Sequence, residues 1–276
     1  MSAITAQDIN KLRQATGAGM MDCRKALTET NGDFEAAIDW LRKQGQKVAA
    51  KRSDREAKEG VIIAKTTADH KTGFVVCIAC ETDFVSKNAA FVAFAQSIAD
   101  AAVANNVKSS EELNAVSING ITVADMINDK LASIGEKISV AKFERLDAPF
   151  VASYIHGANR MGVLVALTAE AAELGKDLAM QIAAMNPVAV DADSVPAETV
   201  ARERAIIIDT MKEDPKMAGK PEEMIVKIAE GKIAAFFKEQ TLLAQSFVKD
   251  GSKTVGDHVK SVGDIKVTEF KRVALG

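Results

Sequence analysis

The chain repeats itself, and the repeat limits its fold more than any single motif does. Gly73-Phe74-Val75-Val76-Cys77-Ile78 reads as an apolar strand. It follows the hairpin signal Asp69-His70-Lys71-Thr72 and precedes an amphipathic helix, Ala89 to Ala104. Gly162-Val163-Leu164-Val165-Ala166-Leu167 does the same after Gly157-Ala158-Asn159-Arg160, leading into a helix from about Glu170 to Met185. The two halves also close alike. Thr122-Val123 starts a helix ending at Ile134-Gly135-Glu136, and Val140, Phe143 and Arg145 then lie on a strand. Later come Thr254-Val255, Val262-Gly263-Asp264, and Val267, Phe270 and Arg272. Each half reads as hairpin, helix, helix, strand, which places the chain in the α+β class with helices covering each small sheet.

Spacing locates an insertion. The glycines Gly73 and Gly162 are 89 residues apart and the closing Phe143 and Phe270 are 127 apart, so the second half holds 38 more residues. Pro196 to Lys212 has helical composition with Val200, Ile207 and Met211 in phase. Asp214 to Pro221 is rich in breakers, and Pro221 opens a second helix through Met224, Ile228 and Phe236. The expected product is an inserted helical hairpin at about 194–237, a shape suited to reaching a partner. The two repeats become a core subdomain N at 60–148 and a core subdomain C at 149–276.

Before the repeats, Thr5 and Asp8 form a helix start with Ile4 placed to staple onto Ile9. Gly17-Ala18-Gly19 breaks that helix, Met20 to Glu29 resumes, and Asp33 caps a third helix expected to end before Gly45. Residues 1–45 thus form a three-helix bundle with Ile9, Leu12, Leu27, Ile38 and Leu41 as core. Residues 46–59 are charged, with Val48 the one large apolar side chain, and read as a solvated linker. Its basic cluster (Lys47, Lys51, Arg52, Arg55, Lys58) is diluted by Asp54, Glu56 and Glu59 and lacks a stacking aromatic, so a linker is favoured over an RNA patch.

Composition narrows the function. Thirty-five Lys and Arg against 38 Asp and Glu give a net charge of −3, a poor balance for a protein living on phosphate backbone. Three Cys make no disulfide framework, and His70, His156 and His258 have no metal-ligand spacing, so neither cofactor nor metal is expected. No secretory signal or membrane-length apolar run is present, and free cysteines fit a reducing cytoplasm. No G-x-S-x-G turn or paired His supports nucleophilic catalysis. Cys77 and Cys80 are spaced like a CxxC pair, but residues three apart on a strand point to opposite faces, so both are expected buried. The inventory suits contact rather than chemistry.

Glu81-Thr82-Asp83-Phe84-Val85 follows the first repeat's strand, and the equivalent Thr168-Ala169-Glu170-Ala171 carries no aromatic. Position alone makes Phe84 an apolar residue tucked under the next helix and Asp83 a turn-former. The alternative is an Asp-Phe pair added to one copy for a partner. His156, beside the second hairpin turn, is expected exposed.

Thr16-Gly17-Ala18-Gly19-Met20-Met21-Asp22-Cys23-Arg24-Lys25-Ala26-Leu27, Glu81-Thr82-Asp83-Phe84-Val85, His156-Gly157-Ala158 and Ser252-Lys253-Thr254-Val255-Gly256 closely resemble bacterial translation elongation factor Ts, in order along the whole chain. The resemblance implies a ubiquitin-associated-like (UBA-like) N-terminal domain, two related core subdomains and an inserted coiled-coil hairpin. It implies a non-enzymatic guanine-nucleotide exchange factor for elongation factor Tu, binding the GDP-bound and nucleotide-free forms, with no membrane and no direct nucleic-acid contact; homodimer or heterotetramer stays open. Carried over by position, Thr82, Asp83, Phe84 and Val85 would dislocate Mg2+ from Tu. Arg13, Met20, Met21, Ile134, Gly135 and His156 would be further partner contacts, with Glu136 a candidate on the same face as Ile134 and Gly135.

Overall fold

The computed structural model describes residues 4–52, 54–214 and 221–275. The first repeat is a sheet of β1 (Glu59–Thr66), β2 (Thr72–Cys80) and β5 (Ser139–Asp147) in the order β1-β2-β5, all antiparallel. Between β2 and β5 run α4 (Asp83–Ser86), α5 (Ala89–Ala104), α6 (Ser110–Ala115), the short strands β3 (Ser117–Ile118) and β4 (Ile121–Thr122), and α7 (Val123–Ile134). The second repeat has β6 (Phe150–His156), β7 (Met161–Leu167) and β10 (Val267–Ala274), with β7 central as β2 is in the first. Its helices are α8 (Ala172–Met185) and α11 (Val255–Val262), and the short strands β8 (Ser246–Phe247) and β9 (Asp250–Thr254) precede α11 as β3 and β4 precede α7. The duplication extends to these minor hairpins.

The sequence placed helices over each sheet but did not show what the other sheet faces do. They bury each other. Ile62, Ala64, Val75, Cys77 and Leu146 from one sheet meet Val151, Leu164, Ala166 and Val273 from the other in a shared core. On the outer faces, Phe74, Val76 and Ile78 pack on Phe91, Ile98, Ile127 and Leu131, and Val163, Val165 and Leu167 on Leu174, Leu178, Ile182 and Val259. The result is four layers, helix, sheet, sheet, helix. It explains why β2 and β7 are apolar at consecutive rather than alternate positions, since both faces are covered. The glycines that open each repeat's central strand are where the sheets come closest. A Cβ on Gly73 would lie 2.7 Å from Val151 Cγ1, and one on Gly162 would lie 2.8 Å from Ile62 Cγ2.

The 38-residue excess appears as α9 (Ala197–Glu213) and α10 (Glu222–Gln240), joined across Met211, Ile225 and Ala229. Most of the expected turn between them, 215–220, lies outside the described residues.

The N-terminal bundle comprises α1 (Ala6–Thr16), α2 (Met20–Glu29) and α3 (Phe34–Lys51). Thr5 and Asp8 form the capping box, and Leu12, Cys23, Ala26, Leu27 and Ala37 are its core, with Ile4, Ile9, Ile38 and Leu41 packed around them. The expected end of the third helix before Gly45 is corrected, because α3 runs on to Lys51. Gly45 is buried at the crossing with α7, where a Cβ would lie 3.2 Å from Ala132 Cβ and 3.3 Å from the Asn128 carbonyl. Glycine inside a helix costs about 0.5–1 kcal/mol, offset here by the close approach of two helices. It is a packing position rather than a stop.

Candidate functional site

Thr82 starts the four-residue helix α4, whose Ser86 is buried and whose Val85 packs on the core under α5. A single turn cannot bury every side chain it carries, so with Val85 and Ser86 turned inward Phe84 is turned out. It is 85 % exposed, the highest fraction of any large apolar side chain among the described residues. The expectation that Phe84 tucks under the following helix is therefore corrected. Asp83 forms an ion pair of 2.6 Å with Lys87 one turn on, and that pair holds its carboxyl below the ordinary aspartate range.

The base of this turn is held by a reciprocal clasp. Glu136 accepts from the Thr82 backbone N–H at 3.1 Å and from the Thr82 hydroxyl at 2.7 Å. In return Glu81 accepts from the Lys137 N–H at 2.6 Å. Glu81 also pairs with Arg52 and Arg55, each at 3.0 Å. These contacts, the Lys137 N–H foremost, depress its pKa. Arg52 and Arg55 are thus engaged within the fold rather than presented as a basic patch.

The clasp brings Ile134 and Gly135 beside the Phe84 turn. Ile134 ends α7 with 37 % of its surface exposed, and Gly135 closes the helix at φ +79, a left-handed conformation that suits glycine. His156 is tied to the same end of the first hairpin by a chain of contacts. Its carbonyl accepts from the Arg160 N–H at 3.2 Å, and the Arg160 guanidinium meets Glu59 at 2.6 Å. Glu59 pairs across the sheet with Cys80, just before Glu81. The exposed His156 ring takes a 2.9 Å hydrogen bond with the Tyr154 hydroxyl. Arg13, Met20 and Met21 lie on the bundle, with Arg13 exposed, Met20 55 % and Met21 75 % exposed. Thr16, at the end of α1, lines a small cavity with Ser133 beside Ile134, which puts the bundle's α1–α2 junction over the C-terminal end of α7.

Cys77 lies in the core between the sheets and Cys80 in the core under the helices, as opposite faces require. Burial pushes the thiols up to about 11 and about 12 respectively, so the pair is no redox centre. Among the described residues no group of three or more His, Cys, Asp or Glu is placed to hold a metal ion, and no described helix is long and apolar enough to cross a membrane.

Comparison with known proteins decides the family. A family model described as elongation factor TS matches residues 81–276. Two relatives named Elongation factor Ts, from Christiangramia forsetii and Flavobacterium psychrophilum, are 48 % and 49 % identical over the whole of both chains. Another of that name, from Methylococcus capsulatus, is 45 % identical over 99 % of this chain and 92 % of its own. The chain belongs to the elongation factor Ts family. The family model's matched region begins at Glu81, the first residue of the clasp.

The carry-over places Glu136 beside Ile134 and Gly135 on the contact face, but local spacing gives neither it nor Glu81 a part in holding the turn. A signal was available. Thr5, Thr122 and Thr254 each have an aspartate three residues on (Asp8, Asp125, Asp257), whereas Thr82 has Val85. The missing carboxylate comes from 54 residues away, where local spacing cannot find it.

Proposed function

We propose that the chain, as an elongation factor Ts, binds the GDP-bound and nucleotide-free forms of elongation factor Tu. On this reading it promotes GDP release without catalysing a covalent step. The observation that carries this is Phe84, a large aromatic side chain held out in water on a turn whose base is fixed by charged hydrogen bonds. Exposing an aromatic forgoes about 2–3 kcal/mol of burial. A partner that receives the ring gains that stabilisation, and a partner state with room for it is favoured over one without.

In this reading Thr82 to Val85 form the element that dislocates Mg2+. GDP and its cation are held by a phosphate loop, so a binder that fits the cation-free arrangement weakens nucleotide, and nucleotide weakens the binder equally. Shifting such an equilibrium decisively takes about 5.5 kcal/mol of differential affinity. One ring supplies about half of that. The remainder is assigned to Ile134, Gly135 and His156 on the core, and to Arg13, Met20 and Met21 on the N-terminal bundle.

The test is release of fluorescent GDP from Tu in the presence of wild type and Phe84→Ala. Losing about 2–3 kcal/mol lowers the accelerated rate by about 30- to 150-fold. Because Phe84 is exposed, the thermal midpoint of the free chain is expected to stay unchanged. Undiminished acceleration by Phe84→Ala would overturn the role given to the ring.

A further inference from the structure

Among the described residues four threonines begin α-helices, and at three of them the hydroxyl meets an aspartate three residues on. At α1, Thr5 caps through its hydroxyl while Asp8, three residues on, takes the Thr5 N–H at 3.0 Å and hydroxyl at 2.6 Å. At α11, Asp257 takes the Thr254 N–H at 3.1 Å and hydroxyl at 2.7 Å. At α7, the Thr122 hydroxyl meets Asp125 at 2.8 Å. The fourth is α4. Thr82 donates its N–H and hydroxyl at 3.1 and 2.7 Å, the same distances as at α11, but the acceptors are the two carboxylate oxygens of Glu136 in the α7–β5 connection. Thr82 makes no side-chain cap to its own helix.

We infer that Glu136 is a positioning residue, supplying in trans the capping-box carboxylate of α4 and so locking the Phe84 turn to the Ile134–Gly135 turn as one rigid surface. This rests on the exchange reading above. A four-residue helix has too few internal bonds to hold a direction by itself. Val85 and Ser86 set which side of the turn faces out; without the clasp the turn as a whole would shift on the core and its partner would bear the ordering entropy. The Lys137 backbone N–H, donating to the Glu81 carboxylate, closes the ring of contacts, so α4 and the end of α7 move together.

The duplication provides an internal comparison. At the constant offset of 89 residues Thr82 corresponds to Ala171, and Glu136 corresponds to Asp264 by the paired motifs. Ala171 begins α8 with no side-chain cap. The copy without an exposed aromatic also lacks the threonine of the clasp.

Glu136→Gln in the full chain tests this, since glutamine keeps the shape but removes the charge that strengthens both Thr82 hydrogen bonds. Amide hydrogen exchange at Thr82 is expected to accelerate while the global thermal midpoint holds. GDP release from Tu is expected to fall about tenfold, the effect of exchanging charge-assisted hydrogen bonds for neutral ones. In a Phe84→Ala background Glu136→Gln should cause no further fall. Equal factors in both backgrounds would overturn the inference, because Glu136 would then act independently of the ring. Unchanged Thr82 amide exchange would overturn the clasp whatever Phe84 does, whereas an unaffected Phe84→Ala rate would overturn the exchange reading alone. Thr82→Val, which removes the hydroxyl donor and leaves Glu136 in place, supplies the same cycle should Glu136→Gln fold poorly.

Discussion

Replacing Gly162 by alanine probes the contact between the two sheets. Its φ lies outside the left-handed region, so alanine adopts the backbone freely and the cost is steric. The added Cβ would lie 2.8 Å from Ile62 Cγ2, 3.0 Å from Val75 Cγ1 and 3.3 Å from Ala64 Cβ. Carbon pairs rest at about 3.5–4.0 Å, so the sheets must part by a fraction of an ångström or the neighbours must turn. Ile62 and Val75 are β-branched and stiff at χ1, and Ala64 cannot turn at all. Overpacking of this kind costs about 1–3 kcal/mol, against about 0.4–1 kcal/mol gained by restricting the unfolded chain. The net destabilisation is about 1–2 kcal/mol. At roughly 2–4 °C per kcal/mol for a chain near this size, the midpoint falls by roughly 2–8 °C. Urea unfolding should show a lower midpoint concentration with an unchanged slope. Gly231→Ala is the matched control, because Gly231 lies within α10 with nothing near the new methyl, and it should stabilise by about 0.5–1 kcal/mol. Gly162→Ala at or above wild-type stability would refute the close packing of the sheets.

Two further outcomes concern titrating groups. With thiols raised to about 11 and about 12, Cys77 and Cys80 hold little thiolate at pH 8, roughly a thousandth or less. A thiol reagent should therefore label the native chain slowly and the urea-unfolded chain at once, and prompt native labelling of either residue would contradict their burial. Glu81 has a folded-state pKa held below its unfolded value, so its contribution is present above the unfolded pKa and is lost as pH falls through the folded one. Wild type should lose more stability than Glu81→Gln between about pH 5 and pH 3, measured by urea midpoint, and parallel curves would remove Glu81 from the network.

Much of the architecture was legible because it is local. Strand, turn and helix signals fall within a few residues of one another, and a repeated pattern reads twice. Arithmetic on Gly73, Gly162, Phe143 and Phe270 also found the inserted hairpin. What was not legible depended on distant partners. Nothing within either repeat announces that its sheet faces the other, except the unbroken apolar runs and the opening glycines. Gly45 looked like a stop because glycine usually punctuates helices, and only the neighbouring Ala132 gives it a packing role. Phe84 was misplaced by its position because apolar residues at a strand end are usually covered. The inward directions of Val85 and Ser86 on a single turn leave it nowhere to go but out.

The two copies have diverged at different joints. In the second copy, the joint after the central strand is closed by a different pair, Thr168 and the backbone of Lys266, 98 residues on. Thr168 takes the Lys266 N–H at 2.9 Å through its hydroxyl and returns its own N–H to the Lys266 carbonyl at 3.1 Å, and no aromatic stands out. Extra length enters further on, as α9 and α10, where it lies outside the sheet core. In the first copy no length is added; the joint is rebuilt with Glu81, Thr82, Glu136 and Lys137, and Phe84 is exposed. Holding an aromatic ring in water is unfavourable, and charged hydrogen bonds at the base of the turn do nothing to cover it. Their effect is on direction. A clasp that leaves its ring uncovered is understandable as preorganisation, since fixing the ring beforehand removes the ordering cost that a partner would otherwise meet.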